Sequence, residues 1–282
     1  MVIRAVVGRG WGQGYQHSKS LHSYFSHIPS LKVVLPTTPY DAKGLLTAAI
    51  RDDNPVVFLE HRWLYWAVDE VPEEPYEIPL GTSNILREGS RLTLVGTSWM
   101  NVECLRAADV LAKRGVEVEV VDVRTIAPFD ETLIVESVRK TGRCLVTDND
   151  WSHSGFNAEV VSRVSEQCSG QLKSPVKRIG FAPTPCPTVR SLENEFYPNA
   201  ENIIRAVEAE LDLSPTDLSA EDSSVTSGDS RVHSSLSRKL KPAFRNCLFP
   251  EASDGMCEDL PATCSPAAAW IPSKFVPPSF AR

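Results

Sequence analysis

The residues with the clearest chemical potential lie in a glycine-rich run, Gly8 to Gly14, and directly after it. Glycine occupies every second position of the run, so the backbone can approach a ligand or a neighbouring helix closely. The run has neither the G-x-G-x-x-G spacing of a dinucleotide loop nor the G-x-x-x-x-G-K-[ST] spacing of a phosphate loop. It leads to Gln16-His17-Ser18, which we expect at the start of a helix, where backbone N–H groups stabilise an anion. Because an imidazole exchanges protons near neutral pH, His17 is the candidate catalytic residue.

Ordinary structural interpretations of these residues stay open. A glycine-rich turn also serves tight packing, and a lone histidine is more often packed or solvated than catalytic. His22 and His27 follow His17 at five-residue steps, which do not share one helical face, so we do not expect a metal cluster. The seven cysteines have irregular spacing and no C-x-x-C pair, which is typical of reduced thiols. Glu60-His61-Arg62 either faces the active site or is a solvated strand end.

Composition limits the classes of function. The chain has 282 residues and is 42% hydrophobic, enough for one large or two ordinary domains. Its net charge of -7 and the lack of a Lys/Arg run argue against nucleic-acid binding. No apolar stretch approaches the roughly 18 residues needed to cross a bilayer, and no signal peptide is visible. We therefore expect a soluble intracellular protein, cytoplasmic or, in a eukaryote, in the mitochondrial matrix.

Strand and helix patterns alternate along the chain, which predicts an α/β fold with two domains and a tail. Residues 1–68 read as a strand-helix-strand-helix-strand fragment, in which Asp41 is the predicted N-cap of the second helix. Residues 69–90, rich in Pro and Glu, are predicted as an extended linker. Residues 91–212 are predicted as a doubly wound parallel sheet. Residues 213–282, with nine serines among residues 214–237, are predicted to be disordered.

Three segments resemble a known family. GRGWGQGYQHSKSLHSYFSHIPSLKVVLPTTPYDAKGLLTAAIRDDNPVVFLEHRWLY resembles the second half of the pyrimidine-binding domain in beta subunits of pyruvate and branched-chain 2-oxo acid dehydrogenases, members of the transketolase-like superfamily. LREGSRLTLVGTSWMNVECLRAADVLAKRGVEVEVVDVRTIAPFD and PTPCPTVRSLENEFYP are similar to the carboxy-terminal domain of these subunits. The resemblance implies that residues 1–68 are a partial pyrimidine-binding domain and residues 91–212 a transketolase C-terminal-type domain.

The resemblance also implies a reaction, the oxidative decarboxylation of pyruvate or a branched-chain 2-oxo acid with acyl transfer to lipoyl. Thiamine diphosphate would perform the chemistry, shared with an alpha-type subunit that holds the magnesium. The implied partners are that alpha-type subunit and a second beta-type subunit in a heterotetramer, and the lipoyl domain of an acyltransferase component. The residue matching His17 would steady the substrate or intermediate and supply a proton as the lipoyl disulfide opens.

A potassium site is a further implication of the resemblance. The family's monovalent-cation ligands match Ala49, Ile50, Asp52 and Asn54. The last carbonyls of a helix have no intrahelical partner and can coordinate a hard cation. An ordinary helix C-cap before Pro55 is the alternative interpretation.

The chain departs from the family pattern at its amino end. The glutamate that contacts the aminopyrimidine ring in family members belongs to a segment that would precede Met1. We therefore expect no cofactor-binding residue in this chain, which alone would bind thiamine diphosphate poorly and be inactive. A non-catalytic truncated paralogue that acts as an assembly or binding module is the alternative. Arg124 is expected to be structural, and Asp148 and Trp151 are expected on a loop that contacts another subunit.

Overall fold

The computed structural model of the protein describes residues 1–9 and 12–219. Within them the strands are β1 Val2–Val7, β2 Lys32–Val34, β3 Val56–His61, β4 Asn84–Arg87, β5 Thr93–Gly96, β6 Glu119–Asp122, β7 Thr125–Ala127, β8 Cys144–Trp151 and β9 Lys177–Phe181. The helices of the same residues are α1 Gly14–His17, α2 His22–Ser26, α3 Pro39–Arg51, α4 Trp99–Ala112, α5 Glu131–Thr141, α6 Phe156–Cys168, α7 Arg190–Phe196 and α8 Ala200–Glu210, with a 3₁₀ helix at Arg62–Trp66. No helix in this part of the chain combines the length and the apolar character that a membrane span requires.

The first sheet has the strand order β1-β3-β2-β7. Its run VIRAVV forms β1 because β-branched residues favour an extended strand. β1 and β2 both run parallel to β3, so the three carboxyl ends lie at the same edge of the sheet. β3 is almost entirely buried, whereas the outer strand β1 leaves Ile3 and Val6 48% and 47% exposed. The core of this sheet therefore lies on β2 and β3.

The second sheet has the strand order β4-β6-β5-β8-β9. Neighbouring strands run parallel except β4, which is antiparallel to β6. α4 and α8 pack over a buried cluster that includes Leu94, and α5 and α6 pack over another that includes Val95. Because consecutive strand residues point to opposite faces, helices cover both faces of the sheet. The predicted α/β fold with a doubly wound, mostly parallel sheet is confirmed, with one antiparallel edge strand added.

The beginning of α3 corrects one prediction. Thr38, not Asp41, is the N-cap: its Oγ1 accepts a hydrogen bond from the Asp41 N–H at 3.0 Å. Pro39 takes the first helical position, where its fixed φ suits a helix and its missing N–H costs nothing. Asp41 is buried, and its carboxylate pairs with Arg124 at 3.1 Å, as a buried charge requires.

Three segments depart from the predicted boundaries. β4 lies inside the predicted linker, because its backbone groups find partners along β6. β7 follows β6 in the chain but pairs with β2 of the first sheet. Residues 213–219 pack on the second domain: Leu218 is buried in the core beside α4 and α8, and Thr216 donates a hydrogen bond to Glu208. The rest of the predicted tail, residues 220–282, lies outside the described residues.

Candidate functional site

The carboxyl ends of β1 and β3 bring the glycine-rich loop next to the 3₁₀ helix. Val7 is paired with His61 in the parallel register, so the chain leaves both strands at one edge of the sheet. There Arg62 donates a hydrogen bond to the side-chain oxygen of Gln13. Such an edge is where ligands commonly bind in α/β proteins. The Glu60-His61-Arg62 segment therefore faces the loop that leads to His17.

Two glycines of the loop are required by close packing. Gly8 has a φ of +79°, and a Cβ at this position would lie 2.1 Å from Nε2 of His61. Gly14 has a φ of +66°, and its Cβ would lie 2.9 Å from Oγ1 of Thr188. Both the backbone conformation and the space therefore select glycine. The packing interpretation of the glycine run holds at these two positions.

His61 is a buried, neutral residue rather than a solvated strand end. Its ring stacks on Trp99 with centroids 5.7 Å apart, and its Nδ1 accepts a hydrogen bond from the Trp63 N–H at 3.3 Å. Burial, reinforced by the charges of Arg9 and Arg62, lowers the pKa of His61 to about 3. The glycine-rich loop therefore packs at Gly8 against an uncharged His61 ring.

Sequence reasoning missed Arg9, which fastens the loop to α7. Its guanidinium lies between the rings of Trp63 and Tyr197, 4.6 and 4.9 Å from their centroids, and donates a hydrogen bond to Asn194. Burial lowers the pKa of Arg9, and the charge of Glu193 acts in the opposite direction. A charged residue inside a glycine run was the signal available in the sequence. The cation–π contacts make Arg9 an anchor for the loop rather than a group free to bind a substrate.

His17 is exposed and is the last residue of α1. The expectation that it lies at a helix start is wrong, because α1 is a four-residue turn that begins at Gly14. The next helix begins only at His22, so the helix predicted across this segment is divided. The backbone beside His17 is restrained, since the Ser18 carbonyl accepts a hydrogen bond from the buried hydroxyl of Tyr197. The structure thus presents an accessible imidazole on a fixed backbone.

A second histidine, His22, is fully buried against two carboxylates of β8. Its Nε2 lies 3.0 Å from Oδ1 of Asp148 and 3.9 Å from Oδ2 of Asp150. Burial alone would lower the pKa of His22, but the two carboxylates outweigh it and raise the pKa above its usual value. Burial raises the pKa of Asp150, which His22 partly offsets. The site therefore favours a charged imidazolium held between acids.

These contacts correct the expectation for Asp148 and Trp151. β8 continues through Trp151, so neither residue lies on a loop. Asp148 is inaccessible to another subunit because its side chain is only 1% exposed. Trp151 packs edge-on against Phe181 and donates its indole N–H to the Thr184 carbonyl at 3.1 Å.

Comparison with known proteins gives the family. The model of the transketolase pyrimidine binding domain matches residues 1–66, and that of the transketolase C-terminal domain matches residues 81–203. The chain is 44% identical over 206 residues to the acetoin:2,6-dichlorophenolindophenol oxidoreductase subunit beta of Cupriavidus necator, covering 73% of this chain and 61% of that protein. It is 41% identical over 212 residues to the 2-oxoisovalerate dehydrogenase subunit beta 2, mitochondrial, of Arabidopsis thaliana, covering 73% and 58%. It is 40% identical over 214 residues to the pyruvate dehydrogenase E1 component subunit beta of Bacillus subtilis, covering 76% and 66%.

The chain belongs to this transketolase-like family of beta-type subunits. The beta-type chain spans 58% to 66% of the length of these three relatives. Among solved structures it is similar to a split gene transketolase described as an inactive beta4 tetramer. That match has a TM-score of 0.59 and 25% identity, and covers 76% of this chain and 67% of the other.

The predicted potassium ligands of the beta-type chain lie where α3 ends. The carbonyls of Ala49 and Ile50 belong to its last turn, which leaves them without intrahelical partners. The Asp52 carboxylate is already engaged: it pairs with Lys32 and accepts a hydrogen bond from the Asn54 N–H at 2.8 Å. The hydrogen bond from Lys32 lowers the pKa of Asp52. Backbone carbonyls are therefore better placed than this carboxylate to bind a cation. These contacts are equally those of an ordinary helix C-cap, so both interpretations of the segment stay open.

Arg124 has the structural role expected of it in the beta-type chain. It pairs with Asp41 and donates hydrogen bonds to the carbonyls of Thr82 and Ser83 at 3.1 and 3.0 Å. These bonds join α3 of the first sheet to the segment before β4. In residues 1–9 and 12–219, no group of three or more His, Cys, Asp or Glu is arranged to hold a metal ion.

Proposed function

We propose that this chain is the beta-type half of a thiamine-dependent enzyme that decarboxylates a 2-oxo acid, pyruvate or a branched-chain oxo acid, and transfers the acyl group to lipoyl. The observation that supports it most directly is His17, an accessible imidazole on a loop held by Gly8 against His61 and by Arg9 against α7. Family membership supplies the reaction class. The proposed partners are an alpha-type subunit, a second beta-type subunit and a lipoyl domain.

In this proposal the chain supplies a reactive group to a thiamine diphosphate site rather than the residues that bind the cofactor. His17 is exposed on the loop that follows β1, where it is accessible to a cofactor held by a partner subunit. We propose that an alpha-type subunit binds the magnesium. When bound, the cofactor supplies the carbanion chemistry of decarboxylation. The role of His17 is to hold the substrate carboxylate and to deliver a proton to the opening lipoyl disulfide.

Substitution of His17 by Ala in the assembled complex tests this role. We expect transfer to a lipoyl domain to fall by about 10²- to 10⁴-fold, the usual contribution of a positioned acid or base. Reduction of 2,6-dichlorophenolindophenol, an artificial acceptor that needs no proton from His17, should fall less. His153→Ala is the matched control, since His153 is also exposed and lies in a turn. Unchanged lipoyl transfer in His17→Ala would contradict the assignment.

The potassium site is proposed at the end of α3, with oxygens from Ala49, Ile50, Asp52 and Asn54. A bound ion stabilises the folded state in proportion to the logarithm of its concentration. We therefore expect the melting temperature of the chain to rise with KCl more than with NaCl at equal ionic strength. Equal responses to the two salts would indicate that the segment is an ordinary helix C-cap.

The second candidate function is a non-catalytic assembly or binding module. It is favoured by the similar solved structure, because that split gene transketolase is described as an inactive beta4 tetramer. Calorimetry with thiamine diphosphate and magnesium, with and without a candidate alpha subunit, separates the two. Binding only in the presence of the alpha subunit supports the enzyme, and turnover of pyruvate, branched-chain oxo acids and acetoin then identifies the substrate. No binding in either mixture supports the module.

A further inference from the structure

The segment that carries His17 is closed into a loop and is held at its carboxyl end by another part of the chain. At its amino end the Gly8 N–H donates to the Lys19 carbonyl at 3.1 Å. Beyond His17 the segment turns inward, because Ser18, Ser20 and His22 are all fully buried. His22 is the first residue of α2, and its partners belong to β8 of the second sheet. The short stretch from His17 to His22 therefore runs from an exposed histidine to a buried one.

Contacts of His22 and Ser23 attach α2 to the second domain. Asp148, which faces His22, accepts a hydrogen bond from Thr97 Oγ1 at 2.8 Å and so is itself fixed. The adjacent residue of α2, Ser23, donates its hydroxyl to Asp150 at 2.8 Å and accepts the Phe156 N–H at 2.9 Å. The α2 segment is therefore attached both to β8 and to the start of α6.

Among the described residues, the ion-pair partners of His22 both belong to β8. Asp148 and Asp150 both face His22. α2 also packs against β2 and α6, and Lys32 of β2 and Glu159 in the first turn of α6 are each held in an ion pair of their own. A buried ion pair contributes little to net stability, but removal of one partner leaves the other charge buried and uncompensated. The buried pair of His22 with Asp148 and Asp150 therefore acts mainly by favouring one arrangement of α2 on β8.

We propose that His22 is a positioning residue: its buried pair with Asp148 and Asp150 holds the α1–α2 segment on the second sheet and thereby fixes the backbone that presents His17. The imidazolium acts through the segment and does not touch the substrate. The part that concerns His17 rests on the proposed function. The attachment of α2 to β8 by His22, here called the clamp, is a property of the chain and can be tested without a reaction.

Amide hydrogen exchange of the full chain tests the clamp. In His22→Gln, which keeps a polar side chain but removes the charge, we expect peptides within residues 12–27 to exchange at least about tenfold faster. The control His153→Gln should leave these peptides unchanged. Asp148→Asn removes the charge from the other side of the pair and should speed exchange in the same peptides. Asp148→Asn also keeps the test decisive if His22→Gln fails to fold, because unchanged exchange in it would equally overturn the proposal. Unchanged exchange in a folded His22→Gln overturns the proposal.

Activity in the assembled complex tests the link to His17. In His22→Gln we expect kcat for lipoyl transfer to fall about tenfold or more while KM for the oxo acid changes little, and Asp148→Asn should have the same effect. A merely structural role would lower the amount of folded complex but not kcat per folded site. Faster exchange with an unchanged kcat would overturn the positioning role and leave the proposed function intact. If the parent complex itself lacks transfer activity, the proposed function fails, and hydrogen exchange still decides the clamp.

Discussion

Gly8→Ala is predicted to destabilise the protein strongly, because two costs fall on one position. The φ of +79° costs an L side chain about 1–2 kcal/mol. The new Cβ would also lie 2.1 Å from Nε2 and 2.2 Å from Cδ2 of His61. That ring is stacked on Trp99 and cannot shift freely, so overpacking adds about 1–3 kcal/mol. The expected loss in the free energy of unfolding is about 2–5 kcal/mol.

Gly115→Ala is the matched control for Gly8→Ala. Gly115 has a similar φ of +73°, but a Cβ there would meet nothing within 4 Å. It should lose only the backbone part, about 1–2 kcal/mol. Urea unfolding of the full chain, followed by circular dichroism, measures both variants. Equal destabilisation of the two would refute the argument that the His61 ring selects glycine at position 8.

A double-mutant cycle isolates the contact with His61. In a His61→Ala background the space above the ring is open, so Gly8→Ala should cost less than it does in the parent. We expect a coupling free energy of about 1–3 kcal/mol between the two positions. Strict additivity of the two substitutions would show that the cost at Gly8 arises from its backbone alone.

Further predictions concern pH, a helix cap and a surface ion pair. Because the pKa of His61 is about 3 in the folded protein and about 6.5 when unfolded, stability should be complete above pH 6.5 and fall as the pH drops towards 3; His61→Phe should flatten this limb of the pH–stability curve. Asn199 and Asn202 form a capping box at the start of α8, so Asn199→Ala should lower the free energy of unfolding by about 1 kcal/mol, and Asn199→Gly by only a few tenths; equal losses would argue against the cap. Arg4→Ala breaks a pair with Glu60 in which Arg4 is 47% exposed, and the expected loss is at most about 1 kcal/mol; a larger loss would show that the pair does more than a surface contact.

Local chemistry in the sequence determined most of the secondary structure. α5 is bounded by local signals, because Asp130 accepts the Leu133 N–H and Gly142 adopts a left-handed conformation that closes the helix. β3 and β5 are short apolar runs, a pattern typical of buried strands. These signals act between residues close in the chain, so no tertiary information was needed. The same is true of the segment around His17, whose sequence was sufficient to indicate the family.

Only the tertiary structure decided which distant residues meet. The pairing of β7 with β2 depends on the path of the chain between two sheets, which no local pattern encodes. The sequence predicts Asp148 on a loop that contacts another subunit, yet it lies buried in β8 with His22 of α2 against it. Asp41 resembles an N-cap but serves as the buried partner of Arg124. Burial in a low-dielectric interior gives each of these charges a specific partner, and that partner is set by the fold. The sequence by itself could therefore identify His17 as a candidate. The residues that hold its segment, His61, Arg9 and His22 with its carboxylates, were identified only from the tertiary structure.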